Sequence, residues 1–229
     1  MKKLTVPMRK HELLLGWIYF VLQATVLPIV IVFANLLLGN PLSEAELNFL
    51  FFFMNFACIA FIFWRFLLEN AKTAFSDIVG LIASVVISFG LYWILSIAIS
   101  ILNVIIYPEF SNVNDESIGA LVQENTGLIS FATILLVPIT EEVLYRGLVF
   151  RGLYNRSRFA AFAVSTLVFA AVHVVGYIGL YEPMHLLLCF LQYLPAGICL
   201  GLAYAMSNSI WAPILIHISI NMIGILAMR

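Results

Sequence analysis

The sequence predicts an all-α polytopic membrane protein, a bundle of about seven to eight transmembrane helices. Of the 229 residues, 63% are hydrophobic and only 10% are charged, and the mean hydropathy is +1.07. A soluble domain carries about 25% charged residues to keep water on its surface. Lipid must therefore replace water around this chain, which we interpret as a single transmembrane domain over residues 1–229.

Seven stretches are long and apolar enough to cross a bilayer, because about 20 helical residues span its hydrocarbon core of roughly 30 Å. The third stretch, residues 78–106, is long enough to tilt or to contain a break near Gly90. The predicted spans are residues 13–38, 48–68, 78–106, 128–150, 159–180, 184–206 and 209–227.

Lysine and arginine alternate between the two ends of these spans. They occur before the first span, after the second and after the fourth, as Lys2, Lys3, Arg9, Lys10, Arg65, Lys72, Arg151, Arg156 and Arg158. The loops after the first, third and fifth spans contain no lysine or arginine. The positive-inside rule then predicts a cytoplasmic N-terminus and, with seven spans, an external C-terminus. We expect an integral membrane protein, in the cell membrane if the host is bacterial.

The net charge and the cysteines indicate no nucleic-acid partner and no metal cofactor. The net charge of −1 gives no basis for binding nucleic acid. The three cysteines lie in apolar stretches without metal-ligand spacing, so they are predicted to be small buried residues. The partners that remain are the lipid bilayer and a membrane-embedded substrate.

The fourth span contains charges that a membrane helix rarely carries. Glu141, Glu142 and Arg146 lie within it, and each costs on the order of 2.5–3.5 kcal/mol on insertion scales. Glu142 and Arg146 are four residues apart, so they lie on one helix face and can neutralise each other. Glu141 lies about 100° around the axis and has no partner within its own helix. We interpret Glu141 as functional.

Polar residues on two later spans lie at a similar depth. His173 is in the fifth span, and His217 and Asn221, four apart, share a face of the seventh. Counting residues from the predicted cytoplasmic ends places Glu141, His173 and His217 at roughly 13–22 Å from that surface. The sequence thus predicts a shared polar site in the cytoplasmic half of the bilayer.

These residue types favour hydrolysis by an activated water. The chain has neither the G-x-S-x-G nor the H-E-x-x-H pattern, so serine hydrolases and zincins are not supported. Glu141 can take a proton from water that His173 holds and polarises. His217 and Asn221 can donate hydrogen bonds to an oxyanion. Glu142 and Arg146 would then fix the helix and tune Glu141.

Three motifs on successive helices carry a resemblance to a known family. E-E-x-x-x-R, F-x-x-x-H and H-x-x-x-N stand here at 141–146, 169–173 and 217–221. In that order they resemble the CAAX prenyl protease and bacteriocin-processing (CPBP, Abi) family of intramembrane endopeptidases. The resemblance covers about residues 128–225, the catalytic helices, whereas spans in 1–127 carry no recognised motif.

The resemblance implies a glutamate-dependent endopeptidase without a cofactor, cleaving near the C-terminus of a membrane-tethered or lipidated protein or peptide. It implies the roles given above for Glu141, His173, His217 and Asn221. Family members often have eight spans, so a further short helix is expected between 107 and 127.

Two other functions are compatible with the same residues. The chain could be a non-catalytic membrane immunity or scaffold protein that retains the motifs for stability. The two carboxylates and two histidines could also coordinate zinc or line an ion pathway. If the protein is non-catalytic, substitution of Glu141 should leave its phenotype unchanged. If the site holds a metal ion, exhaustive chelation should remove the activity.

Overall fold

A computed structural model describes residues 3–228, and this part of the chain is built from helices joined by loops, without β-strands, which confirms the predicted fold class. The helices are α1 (Lys10–Leu37), α2 (Glu44–Ser76), α3 (Ile78–Ile106), α4 (Val113–Glu124), α5 (Thr126–Tyr154), α6 (Arg158–Val172), α7 (Pro183–Ser207) and α8 (Trp211–Ala227).

Six helical segments of the described chain are long and apolar enough to cross a membrane. The predicted seventh span is α8, which is apolar but only 17 residues long. The short helix expected between 107 and 127 is present as α4, with 12 residues. α3 is continuous across Gly90, so the possible break at that residue does not occur.

Helices α5 and α7 form the centre of the bundle. Within the most apolar 18 consecutive residues of α5 and of α7, 56% of the residues are buried, whereas the same fraction is 11% in α1 and 17% in α2 and α3. The outer helices therefore present their apolar side chains to lipid, for example Ile29 of α1 and Ile105 of α3, which are exposed. This arrangement places the charged motif of α5 in the interior, where it needs partners.

Several helices begin at a polar residue whose side chain binds the free backbone N–H groups of the first turn. Ser43 and Glu46 form a capping box at α2, and Asp77, Asn112, Asn125 and Ser157 accept from backbone N–H groups at α3, α4, α5 and α6.

The fifth predicted span, 159–180, corresponds to the apolar helical segment Arg158–Tyr177, in which the regular α-helix α6 ends at Val172. His173 follows the helix instead of lying within it, and its Nδ1 is 2.7 Å from the carbonyl oxygen of Phe169. A 3-10 turn over Val175–Tyr177 comes next, and Gly179 has φ +86°. That left-handed conformation favours glycine and leads the chain away from the helix axis.

The N-terminal segment, residues 4–8, packs under the end of the bundle that carries the basic loops. Leu4, Val6 and Met8 are buried in the main core cluster. The segment is held by hydrogen bonds to three side chains at two helix ends, Arg151 and Asn155 at the end of α5 and Asn208 at the end of α7. We call residues 4–8 the N-terminal strap, and it closes this end of the bundle.

Asn155→Ala is expected to lower the free energy of unfolding by about 1–2 kcal/mol, because it removes both hydrogen bonds between Asn155 and the backbone of Leu4. Thermal unfolding of the detergent-solubilised protein measures the change. Asn48→Ala is the control, since the Asn48 side chain bonds only to a carbonyl of its own helix. Equal midpoints for both variants would contradict a stabilising role for the strap.

Candidate active site

The ion pair predicted within α5 is present and lies in the centre of the protein. Arg146 Nη1 is 3.0 Å from Glu142 Oε1, and both side chains are fully buried. Arg146 Nη2 also lies within 3.5 Å of the carbonyl oxygens of Ala196 and Gly197 in α7. Its guanidinium carbon is 4.3 Å from the centre of the Phe169 ring. Arg146 thus joins α5, α6 and α7.

Gly197 allows α7 to come close enough for these contacts. A Cβ added at this position would be 2.7 Å from Thr166 Cγ2 and 3.0 Å from Thr166 Cα. The second of these atoms belongs to the backbone of α6 and cannot rotate away. Any larger residue would therefore push α6 and α7 apart and move the carbonyl groups that Arg146 binds.

His217 of α8 bridges the two glutamates. Its Nδ1 is 2.8 Å from Glu142 Oε1, and its Nε2 is 3.9 Å from Glu141 Oε2. A carboxylate accepts hydrogen bonds and cannot donate them, so Nδ1 carries a hydrogen. The ring is consequently fixed with Nε2 directed toward Glu141.

Glu141 differs from Glu142 in both exposure and partners. The Glu141 side chain is 21% exposed, whereas that of Glu142 is 0% exposed. Glu141 Oε2 and Glu142 Oε2 are both buried without a hydrogen-bond partner in the described part of the chain. Glu142, however, accepts hydrogen bonds from Arg146 and His217 through Oε1, whereas His217 Nε2 is 3.9 Å from Glu141 Oε2, too far for a hydrogen bond. A partly exposed carboxylate without fixed partners is typical of groups kept for chemistry.

His173 is fixed by one hydrogen bond and one stacking contact. Because a carbonyl oxygen only accepts, the bond to Phe169 places a hydrogen on Nδ1. In a neutral ring, Nε2 then has a lone pair available to a water molecule. The ring is stacked on Tyr193 of α7, with centroids 4.1 Å apart.

Asn221 Nδ2 is 2.7 Å from the carbonyl oxygen of Thr133 in α5. This contact is the helix–helix hydrogen bond that competes with an oxyanion role, although the amide has a second hydrogen. Thr133 belongs to a π-helical stretch, Ala132–Leu136, and a second one, Val143–Phe150, follows Glu142. Such wide turns disturb the regular backbone bonding and are frequent at functional sites.

One cavity of about 700 Å³ brings the predicted catalytic residues together. Glu141, His173, His217 and Asn221 all line it, from α5, the end of α6 and α8. Glu142 and Arg146 are not among its lining residues and lie behind the wall, which agrees with the supporting position expected for them. The cavity could therefore hold an extended peptide segment next to Glu141.

Sequence reasoning missed a polar group contributed by α4 and α7. The Tyr193 hydroxyl is 3.2 Å from Asn112 Oδ1 and 3.4 Å from Asp115 Oδ1, and Asn112 Nδ2 is 2.8 Å from Gln192 Oε1. All four residues line the cavity. The available signal was the polar pair Gln192-Tyr193 in an otherwise apolar span.

Asp115 is exposed to the cavity and is also surrounded by protein. This burial raises the pKa of its carboxyl group above the usual range, while the hydrogen bond from Tyr193 and the nearby His173 imidazole act in the opposite direction. Asp115 is therefore the acid of α4 that is electrostatically linked to the predicted site.

Comparison with known proteins supports the resemblance found in the motifs. Residues 123–223 match the family model described as "Type II CAAX prenyl endopeptidase Rce1-like". A Bacillus subtilis protein named "Putative membrane peptidase YdiL" is 30% identical over 95 residues, which is 41% of this chain and 34% of that protein. No solved structure matches the chain.

The family resemblance is thus confirmed for the segment 123–223, which contains all six predicted site residues. The chain spans about a third of the length of the Bacillus relative. Helices α1–α3 lie outside the matched segment.

Arg146→Met is expected to lower the free energy of unfolding by about 3–5 kcal/mol, because Glu142 would remain buried without its cation. The double variant Arg146→Met, Glu142→Leu should be less destabilised, since no unpaired charge is left. Thermal unfolding in detergent compares the two.

Arg65→Met is the matched control for this experiment. Arg65 pairs with Glu69 in the same i,i+4 spacing, but both side chains are partly exposed. Such a surface pair contributes about 0–1 kcal/mol. If Arg146→Met were no more destabilising than Arg65→Met, the buried pair would not organise the site.

Proposed function

We propose that this chain, whose segment 123–223 is similar to the Rce1-like endopeptidases, is an intramembrane endopeptidase that hydrolyses a peptide bond with a glutamate-activated water. The observation that carries the proposal is the cavity. It collects a carboxylate with an unpartnered oxygen, two imidazoles and an amide from three helices. The proposed substrate is a membrane-tethered or lipidated protein or peptide, cut near its C-terminus.

In the proposed reaction, a water molecule lies between Glu141 and His173. His173 accepts a hydrogen bond from the water through Nε2, because Nδ1–H is already donated to Phe169. Glu141 takes the other proton as the water oxygen attacks the carbonyl carbon of the scissile bond. The same proton then passes from Glu141 to the leaving nitrogen as the carbon–nitrogen bond breaks.

The negative oxygen of the tetrahedral intermediate needs hydrogen-bond donors. Asn221 offers its second amide hydrogen. His217 can donate from Nε2 only if both ring nitrogens are protonated, since Nδ1–H is bound to Glu142. In the proposed intermediate, the Glu142 carboxylate 2.8 Å from Nδ1 would stabilise a ring that carries both hydrogens. Arg146 compensates the charge of Glu142, so the site remains close to neutral overall.

Glu141→Gln is expected to abolish cleavage, at least a 100-fold loss within the usual 10²–10⁴-fold contribution of a general base. Glutamine keeps the size of the side chain but cannot take the proton. The measurement compares protein termini in host membranes that contain the wild type or the variant at matched expression. Termini found only with the wild type identify both the activity and the substrate.

Glu69→Gln is the matched control, because it makes the same change at the partly exposed pair with Arg65. It should leave the set of termini unchanged. Identical termini for wild type and Glu141→Gln, with the phenotype of the wild type retained, would instead support the non-catalytic immunity or scaffold function.

The proposed reaction uses no metal ion. Within residues 3–228, no group of three or more histidine, cysteine or acidic side chains is arranged to hold one. Because Glu141 activates the water in the proposed reaction, cleavage is expected to persist after exhaustive treatment with EDTA and 1,10-phenanthroline. Loss of cleavage on chelation that zinc restores would replace the glutamate mechanism by a metal-dependent one.

A further inference from the structure

The imidazole of His173 contacts two aromatic rings. Its centroid is 4.7 Å from that of Phe169, with an angle of 53° between the planes, and 4.1 Å from that of Tyr193, with an angle of 24°. Phe169 belongs to α6 and also provides the carbonyl oxygen that binds His173 Nδ1. Tyr193 belongs to α7, so it fixes the imidazole against a second helix.

The hydrogen bond to Phe169 holds one atom of the His173 ring but does not fix the plane of the ring. The χ2 torsion of histidine is broad, so an imidazole can pivot about a single hydrogen bond. His173 also follows the last residue of α6, and a 3-10 turn comes next instead of a further α-helical turn. The nearly parallel ring of Tyr193 limits the pivoting. Tyr193 thus sets the plane in which His173 Nε2 lies.

Tyr193 is itself anchored to the start of α4. Its hydroxyl has one hydrogen, which Asn112 Oδ1 at 3.2 Å and Asp115 Oδ1 at 3.4 Å can share. The preceding residue, Gln192, accepts a hydrogen bond of 2.8 Å from Asn112 Nδ2. Asn112 is buried and caps α4 by accepting from the backbone N–H groups of Asn114 and Asp115. The free end of the tyrosine side chain is therefore held by a fixed helix start.

The same helix also holds the segment that follows His173. The Tyr177 hydroxyl, four residues after His173, donates a hydrogen bond of 2.9 Å to Ser117 Oγ of α4. His185 Nε2, near the start of α7, is 2.9 Å from the carbonyl oxygen of Ser111, which precedes α4. Helix α4 is thus bound both to the segment that carries His173 and to the helix that carries the tyrosine stacked on it.

We propose that Tyr193 is a positioning residue for His173. Stacked on the imidazole and anchored through its hydroxyl to the start of α4, Tyr193 fixes the direction in which His173 Nε2 holds the water. The inference rests on the proposed function, in which that water attacks the peptide bond. Its importance for the rate is geometric, because a displacement of about 1 Å between reacting groups can cost about 100-fold.

Two substitutions of Tyr193 separate the role of its ring from that of its hydroxyl. Tyr193→Leu keeps an apolar side chain but removes the flat ring, whereas Tyr193→Phe keeps the ring and removes the bonds to Asn112 and Asp115. Tyr154→Leu is the matched control. The Tyr154 ring is also stacked on a neighbour, Phe150, at 25°, but it belongs to the main core cluster and is not among the residues that line the cavity.

The first readout does not depend on cleavage. Diethyl pyrocarbonate reacts with an imidazole nitrogen that has a free lone pair, which in His173 is Nε2. Mass spectrometry of the detergent-solubilised protein measures the rate at His173 relative to that at the exposed His11. Tyr193→Leu should raise this ratio by about threefold or more, within the range that loss of one aromatic pair supplies. Tyr193→Phe should raise it less, and Tyr154→Leu should leave it unchanged.

The second readout is cleavage, measured as the yield of the termini that are found with the wild type and not with Glu141→Gln. Tyr193→Leu is expected to lower this yield by about tenfold or more, because the water is no longer held in one direction. Tyr193→Phe should lower it less, since the stacked ring remains. Tyr154→Leu, at matched expression, should retain the yield of the wild type.

An unchanged labelling ratio in Tyr193→Leu would overturn the positioning role, since any loss of cleavage would then reflect a general structural defect. A raised ratio with undiminished cleavage would overturn it as well. If Tyr193→Leu does not fold, Tyr193→Phe decides, and wild-type values in both readouts would refute the anchoring by α4. Should Glu141→Gln still cleave, the proposed function fails, while the labelling ratio continues to test the position of His173.

Discussion

The buried pair of Glu142 and Arg146 is the interaction on which the rest of the site depends. Neither charge could remain in the interior alone, because transfer of an unpaired ion from water costs several kcal/mol. Together they also position both histidines. Glu142 binds His217, and Arg146 lies over Phe169, whose carbonyl oxygen accepts a hydrogen bond from His173. Three helices are thereby joined without any charge reaching lipid.

The sequence was sufficient for the parts of this arrangement that are local to one helix. Spacing alone predicted the pair of Glu142 and Arg146, and hydropathy predicted the spans, because bilayer thickness fixes helix length. Three polar motifs in otherwise apolar stretches also indicated one shared site. In each case the cost of placing a polar group in hydrocarbon left few alternative arrangements of the helices.

The parts that the sequence did not predict depend on contacts that hydropathy and periodicity do not reveal. The regular helix of α6 ends at Val172, and the His173 side chain binds the carbonyl oxygen of Phe169 one turn earlier. Asp115 lies in the segment for which only a short helix was predicted, and its link to the site arises because α4 folds against Tyr193. The closed basic end likewise depends on a strap whose apolar residues alternate over five positions, too few to distinguish from a linker.

Two adjacent glutamates have different environments because a helix turns by about 100° between them. Glu142 faces Arg146 and His217 and is fully buried, so its charge is held by fixed partners. Glu141 lines the cavity with its side chain 21% exposed and with His217 3.9 Å away, so we propose that its charge is available to a bound water. Exchanging the two environments would need a rotation of α5, which the contacts of Arg146 with α7 prevent. The exposure of Glu141 to the cavity is thus a consequence of the fixed contacts of its neighbour's partner, Arg146.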